Sequence, residues 1–448
     1  MYIRSEQADY SLGLNVKNRS SSHIATFLIV VYLFSLIVRP QDRFLFLSAI
    51  HFEKVLVVLI AGVLVFTRKI AFKGRGITKL VLLFYLGALL SYFLSPYKDF
   101  HLCREWLGEY WKYIILYFIV LLAISDLRDL RLLFLGFAGA ILVYQAYSWY
   151  DFLLGGSYVW QQGMKRMVGV WSEGIGAANY YGMISVYCLP FVLFWYEIAR
   201  EKMTRVLALC CFVLTFLSVA FSGTRGALFT FLFFIMFNFL RMKNRRFVFI
   251  TLMIFFVPLF SYHFFPSYLA QRYSTVIPFM EDKGYAIDPV ADEIQKGSAS
   301  ARIIGIVDGI KLVSKRPVLG QGPGASAVAR TLVNKSLAES DEFFQLHSLY
   351  GQILAETGLF GTTMFLLIIV ICLSGASRIP SDESDGRLLA PYRNALVNFL
   401  LVLLFYGFAS HTLFRYYWLF AFAACAAFVD ILNNRERVDE TARHCSAS

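Results

Sequence analysis

Long apolar runs separated by short polar connections dominate the chain from about residue 24 onward. A helix that crosses a bilayer needs about 20 residues that are mostly apolar, and most of the runs approach that length. Glu53 and Lys54 interrupt the second run. The pattern predicts an all-α integral membrane protein with about twelve transmembrane helices, at roughly 24–38, 44–67, 78–95, 110–124, 131–154, 177–198, 204–221, 226–240, 247–264, 347–374, 389–409 and 412–432.

The charges of the connections alternate along the chain. Cytoplasmic loops carry an excess of Lys and Arg, so the basic connections and both termini are assigned to the cytoplasm. The polar residues up to about Ser22 predict that the first run is an uncleaved anchor rather than a cleaved signal peptide. The basic connections contain Arg68, Lys69, Lys73, Arg75 and Lys79; Arg200, Lys202 and Arg205; Arg241, Lys243, Arg245 and Arg246; and Arg378, Arg387 and Arg393.

One polar segment outside the cytoplasm, residues 265–346, is much longer than the other external connections. It is expected to form a mainly helical domain between the ninth and tenth transmembrane helices. Pro317 is expected to end an amphipathic helix over 298–313, and the glycines that follow it to form a flexible turn. The residues behind these two predictions are Ile303, Ile306, Ile310 and Leu312 for the apolar face, and Gly320, Gly322 and Gly324 for the turn.

The chain therefore divides into four parts. Residues 1–264 hold the first nine transmembrane helices, and residues 265–346 form the external domain. Residues 347–432 hold the last three helices, and residues 433–448 form a cytoplasmic tail.

Composition agrees with a membrane protein and excludes other classes. Apolar residues make up 58% of the chain, charged residues 16%, and the mean hydropathy is +0.60. The net charge of +12 resides in short cytoplasmic clusters rather than in basic patches interleaved with aromatics, which argues against a nucleic-acid partner. The seven cysteines form no CxxC pair and no metal-ligand spacing. We therefore expect no structural disulfide and no metal site.

Four features of the predicted external face carry residues suited to chemistry. His347 stands at the entry to the tenth run, and Arg225 lies in a tight turn between two helices. Arg302 lies near the start of the predicted amphipathic helix. Lys165 and Arg166 form a basic pair in another external connection.

Each feature alone also has an ordinary structural explanation. A single histidine at a membrane interface is more often a polar interfacial residue than a catalyst. Arg225 could reach the lipid headgroups with its long side chain, and Arg302 could cap a surface helix. The pair at 165–166 could touch anionic lipid, and Gly358 and Gly361 could serve close helix packing.

The four features together favour a catalytic site over four separate structural roles. A histidine at a helix N-terminus is favoured in its neutral form, which a general base requires. Arginines that converge on one point suit a diphosphate, because guanidinium binds phosphate oxygens bidentately. An external base beside a diphosphate site, with no metal ligands, indicates glycosyl transfer from a lipid-linked sugar.

These residues resemble a known family. His347-Ser348, nine intervening residues, and Gly358-Leu-Phe-Gly361-Thr362 are similar to the signature of the bacterial O-antigen ligases. That signature also occurs in O-oligosaccharyltransferases that glycosylate proteins, and polysaccharide polymerases carry looser versions. Many relatives have Asn at the position of Ser348. The stretches 302–324, 222–226 and 176–181 are also similar to family motifs, although Ile and Val replace the usual aromatic residue after position 302.

The resemblance implies a GT-C-like glycosyltransferase in the bacterial inner membrane, with its active site facing the periplasm. It would transfer O-antigen glycan from undecaprenyl diphosphate to a hydroxyl of lipid A–core, with inversion and without metal or cofactor. His347 would be the general base, and Arg225 and Arg302 would bind the donor diphosphate. Arg166 is a further candidate for that cluster.

Three other functions remain open from the sequence. A polysaccharide polymerase and a protein O-oligosaccharyltransferase would differ from a ligase in the acceptor. A transporter of lipid-linked glycans is a fourth class, but transporters place their polar residues near the bilayer midplane. Here the polar residues gather at one face, which favours an enzyme.

Overall fold

The computed structural model describes residues 16–67, 74–161, 164–170, 177–241, 289–333, 343, 345–377 and 383–447. Helices account for most of them. The α-helices are α1 (Val16–Val38), α2 (Pro40–Arg43), α3 (Leu45–Ala49), α4 (Phe52–Thr67), α5 (Arg75–Phe93), α6 (His101–Ala123), α7 (Leu127–Leu153), α8 (Ala177–Ile198), α9 (Lys202–Phe221), α10 (Arg225–Arg241), α11 (Pro289–Lys315), α12 (Ser326–Ala329), α13 (Leu349–Ser377), α14 (Glu383–Gly407) and α15 (Tyr416–Ala447). A 3-10 helix covers Arg330–Leu332, and two strands, β1 (Tyr158–Gln161) and β2 (Met164–Met167), form a hairpin.

Eight helices of the described part of the chain, α5 to α9 and α13 to α15, are long and apolar enough to cross a membrane. The chain is a multi-pass membrane protein. Helices α4 and α10, of 16 and 17 residues, also coincide with predicted runs but are shorter, as is the apolar part His23–Val38 of α1. The predicted run at 247–264 lies outside the described residues. The second run is broken into α3 and α4 at Ile50 and His51, where His51 has a positive φ of 49°.

Interlocking aromatic rings fill the centre of the bundle. Helix α8 is the most enclosed span, with 89% of its apolar window buried. Phe191 of α8 packs against Phe137, Phe399 and Phe420 of three other helices, with ring centroids 4.9 to 6.2 Å apart. Such rings bury large apolar areas and prefer tilted or edge-to-face contacts. This packing holds α7, α14 and α15 around α8.

The connection between α7 and α8 contains the β-hairpin, which the all-helical expectation missed. Its strands pair antiparallel, with Tyr158 opposite Met167 and Gln161 opposite Met164. Met167, the last residue of β2, is fully buried, which shows that the hairpin ends against the helical bundle. Strands of four residues are too short for a period-two pattern to stand out among apolar runs.

Helix α11 confirms the predicted helix over 298–313 but not its predicted apolar face. The helix ends at Lys315, before Pro317, as expected. Ile303 and Ile310 are 67% and 54% exposed, whereas Leu312 is fully buried. Glycines form much of the buried face, because α11 crosses α13 where their backbones nearly touch. A Cβ on Gly309 would lie 2.6 Å from the Cα of Gly351, so only glycine fits there. A face built from glycines does not register in a hydrophobicity pattern.

The glycine turn after α11 is a packed element rather than the flexible turn that was expected. Gly320, Gly322 and Gly324 all have positive φ, a conformation that glycine adopts without strain. The backbone N–H of Gln321 donates to the carbonyl of Ala355 at 2.7 Å. The hydroxyl of Ser91 in α5 donates to the carbonyl of Leu319 at 2.5 Å. These bonds fix the turn between α5 and α13.

The last helix, α15, covers the last predicted run and continues to Ala447. The division of the chain at 264, 346 and 432 stays a prediction.

Candidate functional site

A cavity of about 1000 Å³ lies at the end of the bundle that the sequence assigns to the outside. Residues of α1, α4, α6, α7, α8, α11, α14 and α15 line it, together with several connections. Its volume is at the upper end of the range typical of ligand sites. The charged and polar residues of its wall are Arg39, Glu53, Glu109, Lys112, Gln161, Asn179, Thr224, Arg302, His347, Ser410, His411, Thr412 and Arg415.

His347 presents its side chain to this cavity from a rigid backbone. Its two neighbours, Leu346 and Ser348, are fully buried, whereas His347 itself is exposed. A Cβ on Gly305 of α11 would lie only 3.4 Å from the backbone nitrogen of His347, so α11 packs directly behind it. Partial removal from water, followed by the positive charges of Arg302 and Arg330, lowers the pKa of His347 below its usual value.

The structure places Arg302 near both His347 and Arg225. Arg302 projects from α11 into the cavity, and burial is the main cause of a lowered pKa for its guanidinium. Its charge acts on both His347 and Arg225, so Arg302 lies near each of them. Arg225 is the first residue of α10 and is only 7% exposed. It is absent from the cavity wall itself, which Thr224 reaches from the same turn.

Arg166 lies behind this turn, fully enclosed by protein. Its Nε donates to the carbonyl of Ser222 at 2.9 Å, and its Nη1 donates to Gln161 Oε1 at 2.7 Å. Its Nη2 donates to Asn179 Oδ1 at 2.8 Å and to Thr224 Oγ1 at 3.1 Å. Arg166 therefore ties β2 to α8 and to the turn that carries Arg225. Direct binding of a donor diphosphate by Arg166 stays a prediction.

His411 is a site residue that the sequence reasoning missed. It lies in the connection between α14 and α15, and its ring centroid is 5.7 Å from that of His347. Its buried Nδ1 has no hydrogen-bond partner among the described residues. Burial, followed by the charges of His347 and Arg415, lowers the pKa of His411 to about 3. A histidine in a short external connection was the available signal, but no motif spacing pointed to it.

A buried ion pair supports His347 from behind. Arg330 donates to Asp308 of α11 from both Nε and Nη2 at 3.0 Å, and both side chains are almost fully buried. The pair joins the 3-10 helix to α11. It was also missed, since the two residues are 22 positions apart and neither belongs to the recognised motif.

Residues 210–366 match the family model described as O-antigen ligase. The match marks a domain similar to the O-antigen ligases. The resemblance based on the histidine signature is thereby confirmed. The matched residues include Arg225, Arg302 and His347, together with the signature glycines. No curated protein matches the chain.

Gly358, the first glycine of the signature, interrupts α13. Its φ of 62° and ψ of −163° are not helical. The N–H of Leu359 donates to the carbonyl of Pro317 at 2.8 Å, and that of Phe360 donates to Val318 at 3.1 Å. A Cβ on Gly358 would lie 2.5 Å from the carbonyl oxygen of Val318. The signature therefore locks α13 onto the packed turn that follows α11.

Two polar residues of α13 extend this support to the connection that carries His411. Gln352 Oε1 accepts a hydrogen bond from the N–H of Leu413 at 3.1 Å, and its Nε2 donates to Glu356 at 3.1 Å. The other carboxylate oxygen of Glu356 accepts from Ser326 at 2.6 Å. One network thus holds α12, α13 and the 408–415 connection in register. The domain presents an exposed imidazole and neighbouring guanidinium groups on a rigid frame, an arrangement suited to proton abstraction beside an anion.

Proposed function

We propose that this protein is a glycosyltransferase that transfers O-antigen glycan from undecaprenyl diphosphate to a hydroxyl of lipid A–core. One observation carries the proposal. His347 and Arg302 line the same cavity, and the charge of Arg302 also acts on Arg225. All three residues lie within the O-antigen ligase match. A base and a cationic diphosphate site are the two parts that transfer from a lipid-linked donor requires.

In the proposed reaction His347 is the general base. A ring nitrogen accepts the proton of the acceptor hydroxyl while that oxygen bonds to the anomeric carbon of the donor glycan. The bond from that carbon to the diphosphate oxygen breaks, and the electron pair leaves with the diphosphate. Attack opposite the leaving group inverts the anomeric centre. The lowered pKa of His347 keeps the imidazole neutral, as a base must be at neutral pH.

Arg302 and Arg225 supply positive charge where negative charge develops. Guanidinium groups bind phosphate oxygens bidentately and keep their charge at any physiological pH. Fixed charges aimed at a leaving group stabilise the transition state more than the ground state. This arrangement requires neither a metal nor another cofactor. Arg166 fits a positioning role in this proposal, since it holds the turn that carries Arg225.

The proposed active site faces the periplasm, with the protein in the inner membrane. The alternation of basic connections supports this orientation. Labelling of single cysteines in a cysteine-free background tests it with two exposed positions, Lys311 on α11 and Glu201 between α8 and α9. A reagent that cannot cross the membrane should label position 311 in intact cells and leave position 201 unlabelled. Equal labelling of both would overturn the orientation.

The acceptor distinguishes the proposed ligase from its relatives. Deletion of the gene should remove the O-antigen ladder from lipopolysaccharide and leave lipid-linked polymer to accumulate. A single capped repeat would indicate a polymerase, and intact lipopolysaccharide with unglycosylated proteins would indicate an O-oligosaccharyltransferase. A lipid-linked glycan transporter is disfavoured, because the candidate residues gather at one end of the bundle rather than near its middle.

The general-base assignment is tested with the purified protein and lipid-linked donor. His347→Gln keeps a polar side chain but cannot take up a proton at neutral pH. We expect it to lower the transfer rate by about 10²–10⁴-fold while donor binding is retained. His101→Gln is the matched control, because His101 is an exposed histidine outside the cavity wall. A well-folded His347→Gln protein with near-normal turnover would end the assignment.

A further inference from the structure

The cavity extends from the histidine pair to a second group of charged residues that the proposed reaction does not use. Arg39 at the end of α1, Glu53 in α4, and Glu109 and Lys112 in α6 line this part of the cavity, which we call the charged lobe. Glu109 and Lys112 form an ion pair, and Glu53 Oε1 accepts a hydrogen bond from Gln41 at 2.5 Å. The lobe is thus formed by α1, α4 and α6, none of which lies in the O-antigen ligase match.

The charged lobe is separated from the arginine pair by the histidines. Neighbouring residues along the wall are close enough to influence one another electrostatically. Arg302 acts on His347, His347 and Arg415 act on His411, and Arg415 acts on Tyr113. Tyr113 in turn lies beside Glu109 of the lobe. His347, His411 and Arg415 therefore belong to the wall that connects Arg302 with the charged lobe.

Two residues of the cavity wall, Thr412 and His411, each carry a buried polar atom without a hydrogen-bond partner in the described part of the chain. The hydroxyl of Thr412 is buried, with the residue only 2% exposed, and it has no hydrogen-bond partner among the described residues. The same holds for the buried Nδ1 of His411. Both residues belong to the cavity wall. A buried polar atom without a partner costs about 1–3 kcal/mol, so a side-chain rotation that brings either atom to a ligand in the cavity is favoured.

The balance of charges differs between the two ends. The arginine end holds Arg302 with Arg225 beside it, which suits an anion. The lobe holds two carboxylates and two cations, so its formal charges cancel and it offers a diphosphate no net attraction. Carboxylates accept hydrogen bonds from hydroxyls, and Lys and Arg donate to them. A neutral ligand rich in hydroxyl groups satisfies both kinds of group, and Tyr32 and Tyr113 of the same wall offer ring surface.

We propose that the charged lobe, together with Thr412, is the subsite for the acceptor saccharide, which it holds with one hydroxyl directed at His347. This inference rests on the proposed function, and it specifies that a saccharide rather than a peptide is the acceptor. The saccharide could come from the core of lipid A–core or from a second lipid-linked glycan. The recognising chemistry is the same in both cases, so the test contains one arm for each source.

The test compares Glu109→Gln and Glu53→Gln with Glu105→Gln. Glu105 is an exposed residue of α6 outside the cavity wall, which makes it a matched control. Loss of the carboxylate charge at position 109 or 53 should raise the acceptor KM at least about tenfold. The KM for the donor, and kcat at saturating acceptor, should stay within about twofold of the parent values. An unchanged acceptor KM in both variants would overturn the proposal.

A binding measurement separates this proposal from the proposed function. The His347→Gln protein in nanodiscs, with and without Glu109→Gln, is titrated with lipid A–core free of O-antigen, with a lipid-linked glycan, and with undecaprenyl diphosphate that carries no sugar. Weaker binding of either saccharide supports the subsite and identifies the source. Weaker binding of undecaprenyl diphosphate alone, or of none of the three, overturns it. If the parent transfers no glycan but Glu109→Gln weakens saccharide binding, the proposed function fails and the subsite stands.

Discussion

The imidazole rings of His347 and His411 lie 5.7 Å apart, centroid to centroid, at an angle of 51°. His347 directly precedes α13 and His411 follows α14, so these two helices separate them along the chain. Both pKa values are lowered by burial, and each ring also lies near a positively charged arginine. The surroundings therefore favour two neutral imidazoles in the cavity at neutral pH.

The first prediction concerns the pH dependence of transfer. A lowered pKa means that His347 stays neutral to a lower pH than a free histidine, whose pKa is about 6.5. We expect kcat/KM to be constant from neutral pH down to below about pH 6.5 and to fall only at lower pH as His347 protonates. The profile is measured with purified protein at constant ionic strength. A fall that begins at or above the pKa of free histidine would contradict the prediction.

The second prediction concerns the ion pair behind His347. Asp308→Ala leaves Arg330 buried without its carboxylate, which should lower the free energy of unfolding by about 3–5 kcal/mol. The double variant Asp308→Leu/Arg330→Met should recover most of this loss. Because it removes a positive charge that lowers the pKa of His347, its acid limb should move to higher pH. Lys311→Ala, on an exposed position of α11, is the control, and an unmoved limb in the double variant would show that Arg330 does not act on His347.

The third prediction separates Arg166 from Arg302. Arg166→Lys loses the planar fork that reaches Ser222, Gln161 and Asn179, so these acceptors lose partners worth about 1 kcal/mol each. We expect a clear fall in the thermal midpoint of the purified protein. Arg302→Lys should instead keep the thermal midpoint and lower transfer at least about tenfold, a loss of roughly 1.4 kcal/mol of transition-state stabilisation.

The same pair of variants can also contradict the positioning role of Arg166. If Arg166→Lys leaves the thermal midpoint unchanged but raises the donor KM, Arg166 binds the donor directly. Arg225→Lys is expected to behave like Arg302→Lys, since Arg302 and Arg225 lie together.

The fourth prediction concerns the break in α13. Gly358→Ala places a Cβ 2.5 Å from the nitrogen of Gly320 in a backbone conformation that suits only glycine. We expect a loss of about 2 kcal/mol or more in the free energy of unfolding, together with lower transfer, because the strain alone costs about 1–3 kcal/mol. Gly139→Ala in α7 is the control, since a Cβ there meets nothing within 4 Å. Equal stability of the two variants would exclude a structural role for the signature glycine.

The membrane class, most of the spans and three of the site residues were accessible from the sequence. Each rests on a local property of the chain: about 20 apolar residues for a span, basic connections for orientation, and fixed spacing for the motif of His347 and Gly358. The helix over 298–313 was likewise predicted from a local property, the spacing of its apolar residues. These signals require no knowledge of which helices are neighbours.

The tertiary structure decided what surrounds those residues. It alone joined His347 to His411, Asp308 to Arg330, and Arg166 to the turn at Ser222. It also showed that the buried face of α11 contains glycines rather than Ile303 and Ile310. The physical reason is that hydrogen bonds, ion pairs and close backbone contacts between distant segments depend on how helices pack, whereas apolar length and local spacing do not.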